Sequence, residues 1–156
     1  MDISKTIATL KAEPGFLEKV GMVLVHNGVT RATSRNGAPV ASLEVKADAA
    51  LVEAIRQEGE AMPGMFRVLV EARTGIFVPG DDLLFIVAAG DIRENVLNAL
   101  THTLTRIKAE AITKREIAPE GAAVSRSPAD DKRAVSTRAS TRSASSGLSR
   151  FKQPVA

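Results

Sequence analysis

Pro79-Gly80-Asp81-Asp82-Leu83-Leu84-Phe85-Ile86-Val87-Ala88-Ala89-Gly90-Asp91 holds a turn, an apolar run and a second turn within one short stretch. Pro-Gly-Asp-Asp is turn chemistry, and its acids are expected to serve the turn rather than a metal. The apolar run 83–89 is the longest in the chain. It has the length of a strand and falls far short of the roughly 18–20 residues that a membrane span requires. Gly90-Asp91 then launches the longest predicted helix, over residues 93–112. Its Val96, Leu97, Leu100, Leu104, Ile107 and Ala111 recur at helical spacing, which predicts one apolar stripe. Residues 113–117 close the pattern as a short strand.

Working outward toward the N-terminus, residues 66–72 form a strand-like run that ends at a turn, Arg73-Thr74-Gly75. Met62-Pro63-Gly64 breaks the chain ahead of it. A helix capped near Asp48 is expected to turn Leu51, Val52 and Ile55 inward. Residues 40–46 alternate as a half-buried strand does, with Leu43 and Val45 on one face and Ser42, Glu44 and Lys46 on the other. Asn36-Gly37 is a hairpin signal. Gly21-Met22-Val23-Leu24-Val25 is a buried strand running on toward Arg31. A first short helix, capped by Asp2 or Ser4 and carrying Ile3, Ile7 and Leu10 on one face, ends at Glu13-Pro14-Gly15. The order α-β-β-α-β-β-α-β predicts an α+β domain, a mostly antiparallel sheet with covering helices. No internal repeat is visible.

The domain is expected to occupy residues 1–117. From Ala118 the periodicity collapses into Ser, Ala, Arg and Thr, a composition that cannot bury enough apolar surface to offset the entropy of ordering. Residues 118–156 are therefore read as a disordered basic tail. They hold 7 basic residues against 3 acids, so of the chain's 21 basic and 18 acidic residues the body keeps 14 and 15. The sequence pI near 9.5 belongs to the tail. A truncation ending near Ala118 is expected to melt at the temperature of the full chain. A drop of several degrees would mean that the tail packs on the body.

The chain has no cysteine, which excludes a disulfide framework, a thiolate metal site and a thiol nucleophile. The first residues, Met1-Asp2-Ile3-Ser4-Lys5, do not resemble a secretory signal, so the expected compartment is the cytoplasm. No phosphate-binding loop, dinucleotide fingerprint or Ser/His/Asp arrangement occurs. The two histidines, His26 and His102, lack partners at metal-ligand spacing and are read as structural or surface residues. No metal site and no cofactor are expected. The body's Arg31, Arg93, Lys108, Lys114 and Arg115 taken singly are ordinary solvated charges. Nucleic acid is not the expected partner, because aromatic residues are 3% of the chain, all of them Phe in mostly core-like positions.

Over roughly residues 20–116 the chain resembles the large subunit of molybdopterin synthase, the MoaE-like family. Val25-His26-Asn27-Gly28-Val29-Thr30-Arg31 is similar to the family's strand followed by Gly-Thr-Val-Arg. Residues 73–87 resemble its turn, Pro-Gly-Asp/Glu and apolar strand. Gly90-Asp91-Ile92-Arg93 falls on Ser-Ala-His-Arg at the start of the long helix. Ile107-Lys108 falls on Leu-Lys, fifteen residues beyond the arginine. Thr113-Lys114-Arg115-Glu116 resembles the closing Trp-Lys-Lys-Glu. The sequence departs from the family at Ile92, Thr113 and Arg115, at Val45-Lys46 in place of His-Tyr, and by one residue fewer between the two lysines.

The resemblance implies an α/β-hammerhead-like fold and a sulfurtransferase. That enzyme moves sulfur from the C-terminal Gly thiocarboxylate of a small ubiquitin-like (MoaD-like) carrier to cyclic pyranopterin monophosphate, forming the molybdopterin dithiolene. It further implies that Lys108 and Lys114 are catalytic. Substrate would be held by Thr30, Arg31, Arg93, Lys108, Lys114, Arg115 and Glu116. A homodimer within a heterotetramer is implied as well. One continuous helix over 93–112 would set Arg93 and Lys108 roughly 22 Å apart along its axis and about 60° apart around it. A single pocket containing both is therefore expected to be composite, shared by two copies. The alternative to an enzyme is a pterin- or partner-binding paralogue of the same fold.

Overall fold

The computed structural model describes residues 1–121. The expected tail lies outside them from residue 122 onward. Helix α1, Ile3–Lys11, is capped by Asp2, whose carboxylate accepts from the Lys5 amide at 3.0 Å. A four-residue helix α2, Phe16–Lys19, follows a Gly15 with φ +84°. The remaining elements are β1 (Met22–Val29), β2 (Ser42–Ala47), α3 (Ala49–Glu60), β3 (Met65–Ala72), β4 (Gly75–Phe77), β5 (Asp82–Gly90), α4 (Arg93–Arg106), a π-helical turn Ile107–Ala111, and β6 (Ile112–Ile117). Asp48 caps α3 by accepting from the Leu51 amide at 3.0 Å, as its position before an amphipathic run predicts.

All described strand pairings are antiparallel, and the strands divide into two three-stranded sheets, β1-β5-β3 and β4-β2-β6. In the first sheet β5 is central, and residues 83–90 are buried throughout. One face of that sheet carries Val87 against Leu10 and Phe16 of α1 and α2, with Val23, Val25, Phe66 and Leu69 around them. The other face carries Leu84, Ile86 and Val68 into the main core. There they meet Val52 and Ile55 of α3, Ile107 and Ala111 of the π turn, and Leu43 and Val45 of the second sheet. A strand with apolar residues on both faces, at the middle of the sheet, is what the run 83–89 encodes.

The Asn36-Gly37 signal does mark a reversal. Gly37 has φ +87°, the Ala38 amide donates to Ser34, and Thr33 bridges Pro39. The strands on either side, β1 and β2, nevertheless belong to different sheets, so this is a connection between sheets and not a hairpin. Strand β4 was not expected. It lies between two turns and is only three residues long, so no periodicity announces it.

The long helix also differs from expectation. Helical α geometry stops at Arg106 and residues 107–111 widen into the π turn. The buried seam of α4 is Val96, Ala99 and Thr103, while Leu97 is exposed. Small residues take the seam because α3 crosses closely there. A Cβ on Gly59 of α3 would stand 2.2 Å from Thr103 Oγ1. Gly59→Ala is therefore expected to destabilise the fold by about 1–3 kcal/mol, although Ala is the better helix former. In Gly59→Ala/Thr103→Ala the nearest remaining atom, Cβ of residue 103, lies 3.6 Å away, an ordinary contact, and stability should return to the wild-type level. Denaturant melts of the three variants check this; an undamaged single variant would mean that the helix crossing is slack.

Candidate active site

The chain passes between the two sheets at one end of β5. Strand β5 starts there at Asp82, opposite Val29, and runs to Gly90 opposite Met22. Helix α4 then starts at the far end and returns, so its last residues and the π turn come back to the Asp82 end. Thr30 is tied to that end by its amide, which donates to Asp81 O at 2.8 Å, and by its carbonyl, which accepts from the Gly80 amide at 2.9 Å. Of the two acids, Asp81 serves the turn, as expected, while Asp82 opens β5 and reaches across to β1. Asp81 accepts from the Val78 amide at 2.8 Å, and Asp82 accepts from the Asn27 side chain at 2.8 Å.

Strand β6 brings the second group of residues. Lys114 pairs with Val45 and Glu116 with Leu43, so both side chains share the inward face of β2. Thr113 and Arg115 pair with Lys46 and Glu44 and lie on the outer face. A cleft of about 130 Å³ is formed by Thr30, Arg31, Leu43, Leu83, Lys114 and Glu116, among others. It joins residues more than eighty positions apart in the chain. On the outer face a broader basin of about 360 Å³ is lined by Glu44, Lys46, Thr113, Lys114 and Arg115.

Lys108 sits in the π turn. Ile107 and Ala111 on either side are buried and anchor the turn, while Lys108, Ala109 and Glu110 face outward. Two more contacts fix it. Arg106 Nε and Nη2 donate to the two Glu110 oxygens at 2.8 Å each, and Asp48 N donates to Ala111 O at 2.9 Å. Arg106 also pairs with Glu58 of α3. The ammonium of Lys108 is felt at two neighbours. Lys114 has its pKa lowered, first by desolvation and then by the Lys108 charge, with Glu116 pulling the other way. His26, on β1, has its pKa lowered by burial and then by Lys108. Among the described residues its Nε2 is buried without a hydrogen-bond partner, as is Oγ1 of Thr30. No sequence spacing connects His26 with Lys108, so its place here could not be read from local pattern.

Of the residues singled out from sequence, Thr30, Arg31, Lys114 and Glu116 line one cleft, and Lys108 lies within electrostatic reach of Lys114. Arg115 is turned away from them and donates to Glu44 at 2.8 Å. Arg93 stands at the opposite end of α4, where it is well exposed and pairs with its neighbour Glu94 at 3.4 Å. Along α4 it is roughly 20 Å from Ile107, so it does not join the cleft of its own chain.

The family model described as MoaE protein matches residues 1–110. That span contains Thr30, Arg31, Arg93 and Lys108 and stops before β6. The molybdopterin synthase from Staphylococcus aureus is similar in structure, with 25% identity and a TM-score of 0.57 over 65% of this chain and 77% of that one. Molybdopterin cofactor biosynthesis protein E from Burkholderia multivorans ATCC 17616 is 23% identical, with a TM-score of 0.59 over 76% and 82% of the two chains. The complex of subunits 1 and 2 of the molybdopterin-converting factor from Helicobacter pylori 26695 contributes a chain that is 18% identical, with a TM-score of 0.55 over 79% and 87%. The last two likenesses concern the fold alone. No curated protein matches the chain.

Proposed function

We propose, from the premise that the chain belongs to the MoaE family and is the catalytic subunit of a molybdopterin synthase in molybdenum cofactor biosynthesis, that its Lys108–Lys114 end carries out sulfur transfer. The donor is the thiocarboxylate at the C-terminal Gly of a small ubiquitin-like carrier. The acceptor is cyclic pyranopterin monophosphate, which receives two sulfurs as the dithiolene. The observation that carries this reading is the convergence of two lysines, Glu116, Thr30 and Arg31 at one end of the fold, in a chain that has no cysteine. Sulfur has to be delivered to such a site, and both the carrier tail and the substrate are anionic.

The residues divide by chemistry. Arg31 has a planar fork suited to phosphate oxygens. Lys108 polarises the bond to the incoming sulfur or shuttles the proton, and it is held for this by a turn anchored on Ile107 and Ala111. Lys114, whose ammonium is disfavoured by desolvation and by Lys108, serves as a proton acceptor. Glu116 offsets the two positive charges and orients them. Arg115 can hold substrate only when its ion pair with Glu44 opens. Arg93 reaches the site from a second copy of the chain, which makes the working unit a homodimer. The Helicobacter pylori structure is described as a complex of two subunits. We propose a corresponding carrier on each copy here, giving a heterotetramer. Conversion of the pyranopterin to molybdopterin by this chain and a thiocarboxylated carrier tests the reading. Binding of the pyranopterin without conversion would make the chain a binding module instead.

A further inference from the structure

Strand β1 leads to Thr30 with two polar atoms that nothing in the described residues satisfies. Thr30 is 4% exposed, and its Oγ1 has no hydrogen-bond partner. The imidazole of His26 is in the same condition at Nε2. His26 pairs with Ile86 across the sheet, which puts its side chain on the face toward α4 and the π turn. The ring leans along the strand toward Thr30. Its Nε2 lies 3.3 Å from the point that a Cβ on Gly28 would occupy, so the missing side chain at Gly28 leaves the space into which the ring leans. Thr30 lies two residues beyond Gly28, just past the end of β1 and across a register shift in the β1–β5 pairing between Gly28 and Val29. Buried polar atoms nearly always have partners. Thr30 lines the cleft, and its unpartnered Oγ1, with the unpartnered Nε2 of His26 leaning toward it from β1 and close to Lys108, points to a ligand. The third such atom among the described residues, Thr103 Oγ1, is packed against Gly59 between α3 and α4.

We infer that His26 is a further substrate-contacting residue: with Thr30 it forms a neutral hydrogen-bonding strip along β1 that takes the polar edge of the pterin ring, while the lysines and arginines take the phosphate. The inference rests on the function proposed above. The edge of the pterin ring carries alternating N–H donors and N or C=O acceptors. Thr30 Oγ1 can donate or accept, and a neutral imidazole offers one of each. Burial and the Lys108 charge both oppose protonation of His26, so it is the neutral form that faces the ligand. A charged group at this position would attract phosphate instead of the ring. The site therefore separates two recognition tasks by charge, with the neutral strip deciding which heterocycle is accepted.

Binding of cyclic pyranopterin monophosphate and inhibition by inorganic phosphate, both measured on the full chain, test this. His26→Phe keeps the ring volume and removes both nitrogens. It should weaken pyranopterin binding about tenfold or more and raise KM more than it lowers kcat. Inhibition by phosphate should stay within about twofold of wild type, because the phosphate-holding cations are intact. Thr30→Val should give a similar pattern. His26→Gln keeps a donor and an acceptor and should recover most of the loss. If His26→Phe fails to fold, His26→Leu is read in its place by the same criteria. Pyranopterin binding within about twofold of wild type in the folded variant would overturn the role of His26 and leave the proposed function standing. A wild-type chain that binds phosphate but not the pyranopterin would overturn the proposed function, and this inference with it.

Discussion

Lys108→Ala is expected to lower the turnover of sulfur transfer by at least about 10²-fold, the scale on which a positioned proton-transfer group contributes. The fold should not notice. Lys108 is exposed, and the π turn that carries it is held by buried Ile107 and Ala111, by the Arg106–Glu110 pair and by the amide of Asp48. A surface substitution away from such features changes stability by no more than about 0.5 kcal/mol. Removing the ammonium should also relieve Lys114 and His26 of a neighbouring positive charge, so the pKa of each should rise. Turnover at the wild-type level would remove Lys108 from the mechanism. A loss of turnover accompanied by a lower melting temperature would make its role structural.

The second large effect is complementation. Arg93→Ala and Lys108→Ala are each expected to be nearly inactive at substrate concentrations below KM, for different reasons: the first loses phosphate positioning, the second loses chemistry. Within one chain Arg93 and the π turn lie at opposite ends of α4, roughly 20 Å apart along the helix. An extended Arg or Lys side chain spans only about 6–7 Å. Two copies related by a two-fold axis, the commonest symmetry of oligomers, can bring Arg93 of one beside Lys108 of the other. In a mixed dimer one of the two sites then keeps both residues. After random exchange at equal amounts, activity should return to about one quarter of wild type, since half of the dimers are mixed and half of their sites are whole. Native mass spectrometry that finds mixed dimers, with no activity returning, would place Arg93 outside the site.

The parts of the fold legible in the sequence are those whose cause is local. Asp2 and Asp48 are side-chain caps, the alternation of Leu43 and Val45 follows from one buried face, and the turn at Pro79-Gly80-Asp81 is built by its own residues. What escaped depends on tertiary contact. Ile107 and Ala111 have helical spacing, and a π turn anchored on both of them satisfies that spacing as well as an α-helix does. Leu97 continues the apolar pattern, but the seam of α4 is set by how closely α3 approaches at Gly59, so Ala99 and Thr103 are buried instead. Thr30, Arg31, Lys108, Lys114 and Glu116 could be singled out only together, by resemblance, because each alone is an unremarkable surface or strand-end residue. The separation of Arg115 from Lys114 was within reach, since the two-residue period of a strand over residues 113–117 places neighbours on opposite faces. His26 offered no local signal, and its placement beside Lys108 is a product of the return of α4 across the sheet.

Single-turnover reaction of the full chain with cyclic pyranopterin monophosphate and a thiocarboxylated carrier, followed by mass spectrometry of both pterin and carrier, tests the central claim most directly. The account predicts molybdopterin, with two carrier thiocarboxylates converted to carboxylates for each pterin and with product lost in Lys108→Ala. Pyranopterin recovered unchanged alongside intact thiocarboxylate, under conditions where both are bound, would contradict it.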